Sequence, residues 1–202
     1  MLVIGRCFKS FAFVLLITLL TVVHTADSFP ELGLVNVALA ADPKQPSGLQ
    51  IDDDIDKLPI QVAAMREAIL DAALRGDIDA LVEPIQMNEL KPDFGEVSAA
   101  EPIEDWRKLS VDGEGREILA ILINILQSPY AVVRQGPDIE NNKLYIWPYF
   151  AEVPINKLPP HLEVHLLRLI PREDYKIMKE TGDYRYWRLA IGADGTWHSF
   201  YK

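Results

Sequence analysis

The sequence predicts an α+β domain in which a helical N-terminal half packs on a small antiparallel sheet made of two hairpins. Three observations predict this class. Apolar residues recur at helical spacing from Pro59 to Arg75, a long apolar run follows at residues 118–126, and two pairs of segments rich in β-branched and aromatic residues are each divided by a turn. A series of helices followed by hairpins indicates an antiparallel sheet.

The N-terminus has the pattern of a secretory signal peptide. Two basic residues precede an apolar run from Phe11 to Val23, which is shorter than the ~20 residues that a helix needs to span a bilayer. A small-x-small motif at residues 38–40 predicts removal of residues 1–40, with cleavage near Ala26 as the alternative. We therefore expect a periplasmic or secreted protein without a stable membrane anchor after cleavage.

The composition limits the chemistry of the mature chain. The single cysteine, Cys7, lies in the segment expected to be removed, which excludes disulfides, thiolate metal sites and a cysteine nucleophile. The net charge is -10 at pH 7, and the leader carries as many basic as acidic residues, so the mature charge is the same. Such a charge repels nucleic acid. We expect no nucleic-acid partner and no cofactor.

Residues 41–58 are predicted to form a disordered acidic linker, because their prolines, glycine and aspartates cannot bury enough apolar surface to become ordered. The aspartates of this segment lack the glycine and the glutamate that a helix-loop-helix calcium site requires. Residues 59–202 are then long enough to form one α+β domain with a single core.

The first half of this domain is predicted to be helical. The helix from Pro59 to Arg75 ends at a glycine, and a second helix should kink or end at Pro84. Residues 91–113 contain two prolines and two glycines without sustained periodicity, which indicates a long connection. Phe94 and Trp106 are expected to attach this connection to the core.

A third helix at residues 118–126 is expected to be surrounded by protein on all sides, since every position except Asn124 is apolar. Asn124 would then be a buried amide that needs hydrogen-bond partners. The segments 130–136 and 143–150 predict the first hairpin. A proline in the second segment either ends that strand at Trp147 or places it at a sheet edge.

The last segment, RYWRLAIGADGTWHSFYK, predicts a hairpin around an Asp-Gly turn, after two short helices between Pro160 and Thr181. A two-residue turn would direct His198 and Phe200 to the core. A type I turn with a glycine bulge would instead direct Trp197 and Tyr201 there. The bulged turn is preferred, and it leaves His198 on the outer face beside Arg188 and Tyr186.

Aromatic residues of the first hairpin suggest a binding surface. Alternation along the strand at 143–150 puts three aromatic side chains on one face, which could stack on a sugar or a peptide or could pack in the core. Glu152 and His198 lie in the nearest thing to a polar cluster. The candidate ligand or partner surface therefore comprises Tyr145, Trp147, Tyr149, Glu152, Arg188 and His198.

The stretch HLEVH raises the question of a metal site. His161 and His165 lie one helical turn apart, but the H-x-E-x-H order directs Glu163 away from both, and Arg168 is the next residue on their face. We therefore assign no metal ligand and no catalytic residue.

The composition and motifs favour a non-enzymatic periplasmic module that binds a protein, a peptide or a cell-wall component through the aromatic strand region. The alternative is a periplasmic hydrolase or metal-dependent enzyme that uses Glu152, His198 or the His161/His165 pair.

Three stretches, DGEGREILAILINIL, YIWPYFAEVPINKL and YWRLAIGADGTWHSF, resemble a family of exported bacterial proteins without an assigned activity. This resemblance implies a shared fold and contributes no catalytic residue or substrate. AALRGDIDAL and the terminal DGTW hairpin are also similar to the start and end of nuclear-transport-factor-like cone domains. Those domains have a long curved sheet, whereas here two predicted helices occupy the place of its middle strands.

Overall fold

In the part of the chain that the structure describes, four helices lie between the first and second strands, so the N-terminal half is mainly helical, as the sequence predicts. The computed structural model describes residues 49–135 and 142–202, and these residues form an α+β fold with a five-stranded antiparallel sheet. The predicted fold class is confirmed. The helices are α1 (Ile60–Leu74), α2 (Val82–Gln86), α3 (Pro102–Leu109), α4 (Arg116–Leu126), α5 (Pro160–Leu167) and α6 (Arg172–Thr181). The strands are β1 (Gln50–Asp52), β2 (Tyr130–Arg134), β3 (Lys143–Trp147), β4 (Arg188–Gly192) and β5 (Trp197–Tyr201).

The strands follow one another across the sheet in chain order, and every neighbouring pair is antiparallel. β3 is therefore the central strand, and it ends at Trp147, which is one of the two predicted alternatives. Its register places Tyr145 opposite Ile191 and Trp147 opposite Leu189. All four side chains are buried in the main hydrophobic core. The aromatic face of β3 is thus the inner face of the sheet.

The predicted disordered linker is wrong for the residues that the structure describes. Residues 50–52 form the edge strand β1, which pairs with β2, and Ile55–Lys57 form a 3-10 turn. The Tyr130 hydroxyl donates to the Asp54 carbonyl oxygen at 3.0 Å. The segment is ordered by its partner strand and not by its own composition, since the antiparallel ladder with β2 supplies backbone hydrogen bonds along one side of it. Residues 41–48 lie outside the described part of the chain.

The long connection at 91–113 contains a helix that was not predicted, α3. Phe94 and Trp106 are buried, as expected, with ring centroids 4.8 Å apart, and Phe94 also lies 5.6 Å from Trp197. Edge-to-face aromatic contacts of this kind stabilise a core beyond the area that they bury. The connection therefore contributes Phe94, Ile103 and Trp106 to the core, while most of its other residues are exposed.

Helix α4 is buried on one side only. Ile118, Leu122 and Ile125 are almost fully buried, whereas Asn124 is exposed. The expectation of a helix enclosed on all sides, with a buried Asn124, is therefore wrong. An eleven-residue helix against a five-stranded sheet has one free side, and Asn124 faces water where its amide needs no protein partner.

A buried guanidinium joins α1 to the end of α4. Arg66 is only 6% exposed, and its Nε and Nη2 atoms donate to the Leu126 carbonyl oxygen at 3.1 and 2.7 Å. The last carbonyl groups of a helix lack partners within the helix and carry partial negative charge. Burial lowers the pKa of Arg66, and the nearby Glu67 carboxylate opposes that change. Arg66 thus caps α4 from a neighbouring helix.

The terminal hairpin contains two irregularities. Gly195, at φ +88°, closes the predicted bulged turn by donating its amide to the Gly192 carbonyl oxygen at 2.9 Å. Ile191 then pairs with Trp197 while Ala190 pairs with Ser199, so β5 has one extra residue, His198. Because this bulge reverses the alternation, Trp197 faces the core as predicted, and the core-facing residue near the C-terminus is Phe200 and not Tyr201.

The predicted leader, its cleavage motif and residues 136–141 lie outside the described part of the chain. Among the described residues, none of the helices is both long and apolar enough to traverse a bilayer.

Candidate functional site

A surface cavity of about 460 Å³ lies between the chain that follows β3 and the chain that precedes β4. One wall is formed by residues 151–154, the other by residues 182–184, and Arg188 at the start of β4 completes the lining. We call this cavity the Glu152–Arg188 cleft. Its volume lies within the range of ~300–1,000 Å³ that is typical of small-molecule sites.

Backbone contacts hold the two walls of the cleft together. The Ile155 amide donates to the Gly182 carbonyl oxygen at 2.8 Å, and the Gly182 amide donates to the Met178 carbonyl oxygen at the end of α6, also at 2.8 Å. Gly182 has φ +85°, and a Cβ at this position would lie 2.9 Å from Nδ2 of Asn156. Only glycine suits this turn. The cleft is therefore formed by backbone that is fixed in place.

Arg188 is held in one orientation by its neighbours. Its Nη2 atom donates to the Tyr184 carbonyl oxygen at 2.7 Å, and its guanidinium lies 5.5 and 5.9 Å from the ring centroids of Tyr184 and Tyr201. A cation over aromatic rings is attracted by their negative faces. Its buried Nε has no hydrogen-bond partner among the described residues. Arg188 is thus fixed but has donors left over.

Glu152 ends the 3-10 turn Tyr149–Glu152 and is half-buried in the cleft. Burial raises the pKa of the Glu152 carboxyl, and the positive charge of Arg188 partly offsets this effect. Within the described residues, no ion pair of 4.0 Å or less joins Glu152 to Arg188. The cleft therefore presents an acid and a cation that influence each other without contact.

Because the pKa of Glu152 is raised, we expect its contribution to folding stability to depend on pH. A carboxyl whose pKa is higher in the folded chain binds its proton more tightly there, so the stability that it contributes increases as pH falls. The variant Glu152→Gln is expected to raise the melting temperature at neutral pH. The gain should shrink as pH falls through the raised pKa and disappear once the carboxyl is also protonated in the unfolded chain. Thermal melts of wild type and Glu152→Gln from neutral to acidic pH measure the difference in melting temperature. Glu180→Gln, at an exposed position, is the control. A difference that grows on acidification would contradict the prediction.

The aromatic residues of the predicted surface are mostly buried, although Tyr145 also lines a surface cavity of about 420 Å³ at the β1–β3 side of the sheet. Tyr145, Trp147 and Tyr149 are 7%, 1% and 3% exposed. Tyr145 and Trp147 do share one face, as alternation predicts, but that face packs in the core. Tyr149 lies in the 3-10 turn and not in the strand. The prediction that these three rings together form one ligand or partner surface is therefore wrong.

His198 is exposed but lies far from the cleft. A Cβ placed on Gly192 would be 2.7 Å from Nε2 of His198, so the imidazole covers the last residue of β4, whereas Arg188 is its first and pairs with Tyr201. The two ends of this strand are roughly 13 Å apart at ~3.3 Å per residue. The expected neighbourhood of His198, Arg188 and Tyr186 is wrong because Arg188 pairs with Tyr201, which places His198 at the opposite end of the β4–β5 ladder.

The histidines of HLEVH lie on the exposed side of α5, and Glu163 forms an ion pair with Lys179 of α6. Across residues 49–135 and 142–202, no group of three or more histidine, cysteine or acidic side chains could hold a metal ion. His165 and Arg168 instead line a second cavity of about 360 Å³, together with Asp53 and Asn124.

Sequence reasoning identified Glu152 and Arg188, which the structure places in one cavity, and missed Asp183 and Tyr184 beside them. The signal for these residues was Gly182, since a glycine directly after a helix indicates a left-handed cap that reverses the chain. That reversal brings residues 182–184 against the 3-10 turns that follow β3.

No protein-family model, no curated protein and no solved structure matches the chain. The two resemblances given by the sequence remain predictions.

Proposed function

We propose that the mature chain is an exported, non-enzymatic peptide-binding module of the periplasm, with the Glu152–Arg188 cleft as its ligand site. The observation that supports this most is the pair of opposite charges in one cavity, of which Arg188 is held by Tyr184 and Glu152 has no ion pair with it. Polar groups that are fixed before binding reduce the entropic cost of recognising a ligand. Peptides supply both donors and acceptors for such a site.

The acidic surface of the chain fits this role. With a net charge of -10 at pH 7, non-specific attraction to nucleic acid or anionic lipid is disfavoured. The sequence placed the ligand surface on the aromatic strand, but that strand faces the core. The proposed ligand site is therefore the cleft at the end of β3 and the start of β4. The partner classes considered from the sequence were a protein, a peptide and a cell-wall component, and the size of the cleft favours a short peptide.

The test is affinity selection from a peptide digest of the cell envelope, which contains peptides from both proteins and the cell wall. The protein, expressed as the full chain and purified, should retain a subset of peptides that mass spectrometry identifies. Glu152→Gln, which keeps the side-chain shape, should reduce their retention at least about tenfold, as expected for one lost charge-assisted hydrogen bond. Glu180→Gln should retain the same peptides as wild type. Equal retention by Glu152→Gln, or no retained peptide, would overturn the proposal.

One observation favours a second candidate, a hydrolase with Glu152 as general acid. Burial raises the pKa of this carboxyl in a cavity that also contains Asp183, and a raised pKa is what a general acid needs near neutral pH. The same incubation distinguishes the two functions. A hydrolase would produce new fragments that Glu152→Gln does not produce, whereas a binding module leaves the peptides intact.

A further inference from the structure

The Glu152–Arg188 cleft offers separate places for a positive and a negative group. Glu152 and Asp183 supply carboxylates on its two walls, and Arg188 supplies a guanidinium to the same lining. In the described part of the chain these charges do not neutralise one another through an ion pair of 4.0 Å or less. A ligand with one charge alone would satisfy only one side of this arrangement and leave the other group partly buried without a partner, which is unfavourable.

Arg188 has hydrogen-bonding capacity that its protein neighbours leave unused. A guanidinium has five N–H donors, and the hydrogen bond described for Arg188 uses Nη2 alone, to the carbonyl oxygen of Tyr184. Nε is buried, so the donors left for a ligand are the remaining N–H groups of Nη1 and Nη2, and these two nitrogens can bind a carboxylate end-on with two parallel hydrogen bonds. Because the rings of Tyr184 and Tyr201 already fix its position, little side-chain entropy is lost when a carboxylate binds.

We infer that the cleft recognises a small zwitterion, an α-amino acid or a dipeptide with both termini unmodified, with its ammonium group at Glu152 and its carboxylate at Arg188. This inference rests on the proposed function and specifies the part of the peptide that is recognised. A cavity of about 460 Å³ admits a ligand of this size.

Calorimetric titration with alanyl-alanine tests the inference, with its N-acetyl and C-amide forms as matched ligands. Each blocked form loses one charge and should bind about 10- to 100-fold more weakly, the effect of one hydrogen bond to a charged group. Glu152→Gln should weaken alanyl-alanine to a similar extent and leave the affinity for the N-acetyl form unchanged. Glu180→Gln should bind all three ligands as wild type does.

Arg188→Gln provides the complementary measurement at the other end of the ligand. A folded Arg188→Gln variant should bind alanyl-alanine and its C-amide form with the same affinity. A thermal melt shows whether the variant is folded. If it is unfolded, the comparison of Glu152→Gln with wild type tests the inference alone. The inference that the ligand is a zwitterion would be overturned if wild type bound the blocked forms as tightly as alanyl-alanine. It would also be overturned if wild type bound none of the three ligands. Peptides retained from the envelope digest through Glu152, together with no response to alanyl-alanine, would overturn this inference and leave the proposed function standing.

Discussion

Replacing Trp147 by alanine is expected to lower the free energy of unfolding by about 3–5 kcal/mol, the cost of truncating a fully buried aromatic side chain. Trp147 is 1% exposed, ends the central strand and lies 5.4 Å from the ring of Tyr130. Removing the Trp147 side chain leaves a cavity in the core. The side chains around it are closely packed and can fill the space only if the strands shift. Denaturant unfolding with linear extrapolation measures the loss.

Trp187→Ala is the matched control, because Trp187 is only partly buried and stacks on Phe200 with centroids 4.7 Å apart. It should lose clearly less stability than Trp147→Ala. Wild-type stability in Trp147→Ala would mean that the side chain is on the surface, as the sequence alone allowed, and would restore the aromatic strand as a binding face.

Replacing Arg66 by methionine is the second change with a large expected effect, a loss of about 1–3 kcal/mol. Two effects oppose each other here. Methionine avoids the cost of burying a charge, but it leaves the Leu126 carbonyl oxygen without the two donors that reach it at 3.1 and 2.7 Å. Replacing Arg66 removes the donors but leaves the backbone carbonyl of Leu126 in place. We therefore expect the unsatisfied acceptor at the end of α4 to outweigh the gain, so that the free energy of unfolding falls. Thermal and denaturant unfolding measure the outcome.

Arg66→Lys separates charge from geometry. Lysine keeps a cation near the negative end of α4 but cannot reproduce the two guanidinium donors, so its stability should lie between those of wild type and Arg66→Met. An Arg66→Met protein at least as stable as wild type would show that burying the guanidinium costs more than its hydrogen bonds return.

The elements that the sequence predicted well are those with strong local signals. The predicted end of the second short helix before the last hairpin, at Thr181, agrees with α6, because Gly182 follows it in a left-handed conformation. The amphipathic spacing of α1 and the Asp-Gly turn of the last hairpin are also local patterns. Such signals need no knowledge of the rest of the chain.

Strand β1 and the exposed position of Asn124, which the sequence did not predict, depend on tertiary contacts. β1 has an acidic composition and forms because β2 is beside it. α3 is different, since Pro102 at its first turn and the Glu104–Arg107 pair are helix signals that the irregular segment around them obscured. Asn124 was misplaced because an apolar run does not show which side of a helix the fold leaves open.

The candidate site was predicted in part. Alternation along β3 correctly put Tyr145 and Trp147 on one face, but alternation cannot show which face the helices cover. The distance of His198 from Arg188 follows from the pairing of Arg188 with Tyr201, a register that the sequence did not give. Glu152 and Arg188 line one cavity because the α5–α6 segment returns the chain at Gly182, a connection between distant residues that no local pattern predicts.

Ligand binding in the Glu152–Arg188 cleft is the proposal on which the proposed function depends. Amide NMR during titration with the retained envelope peptides tests it most directly, since the shifts locate the ligand on the chain. The account predicts that the largest changes fall at residues 151–154, 182–184 and Arg188. Changes confined to the cavity around His165 and Arg168, with the cleft residues unaffected, would contradict it.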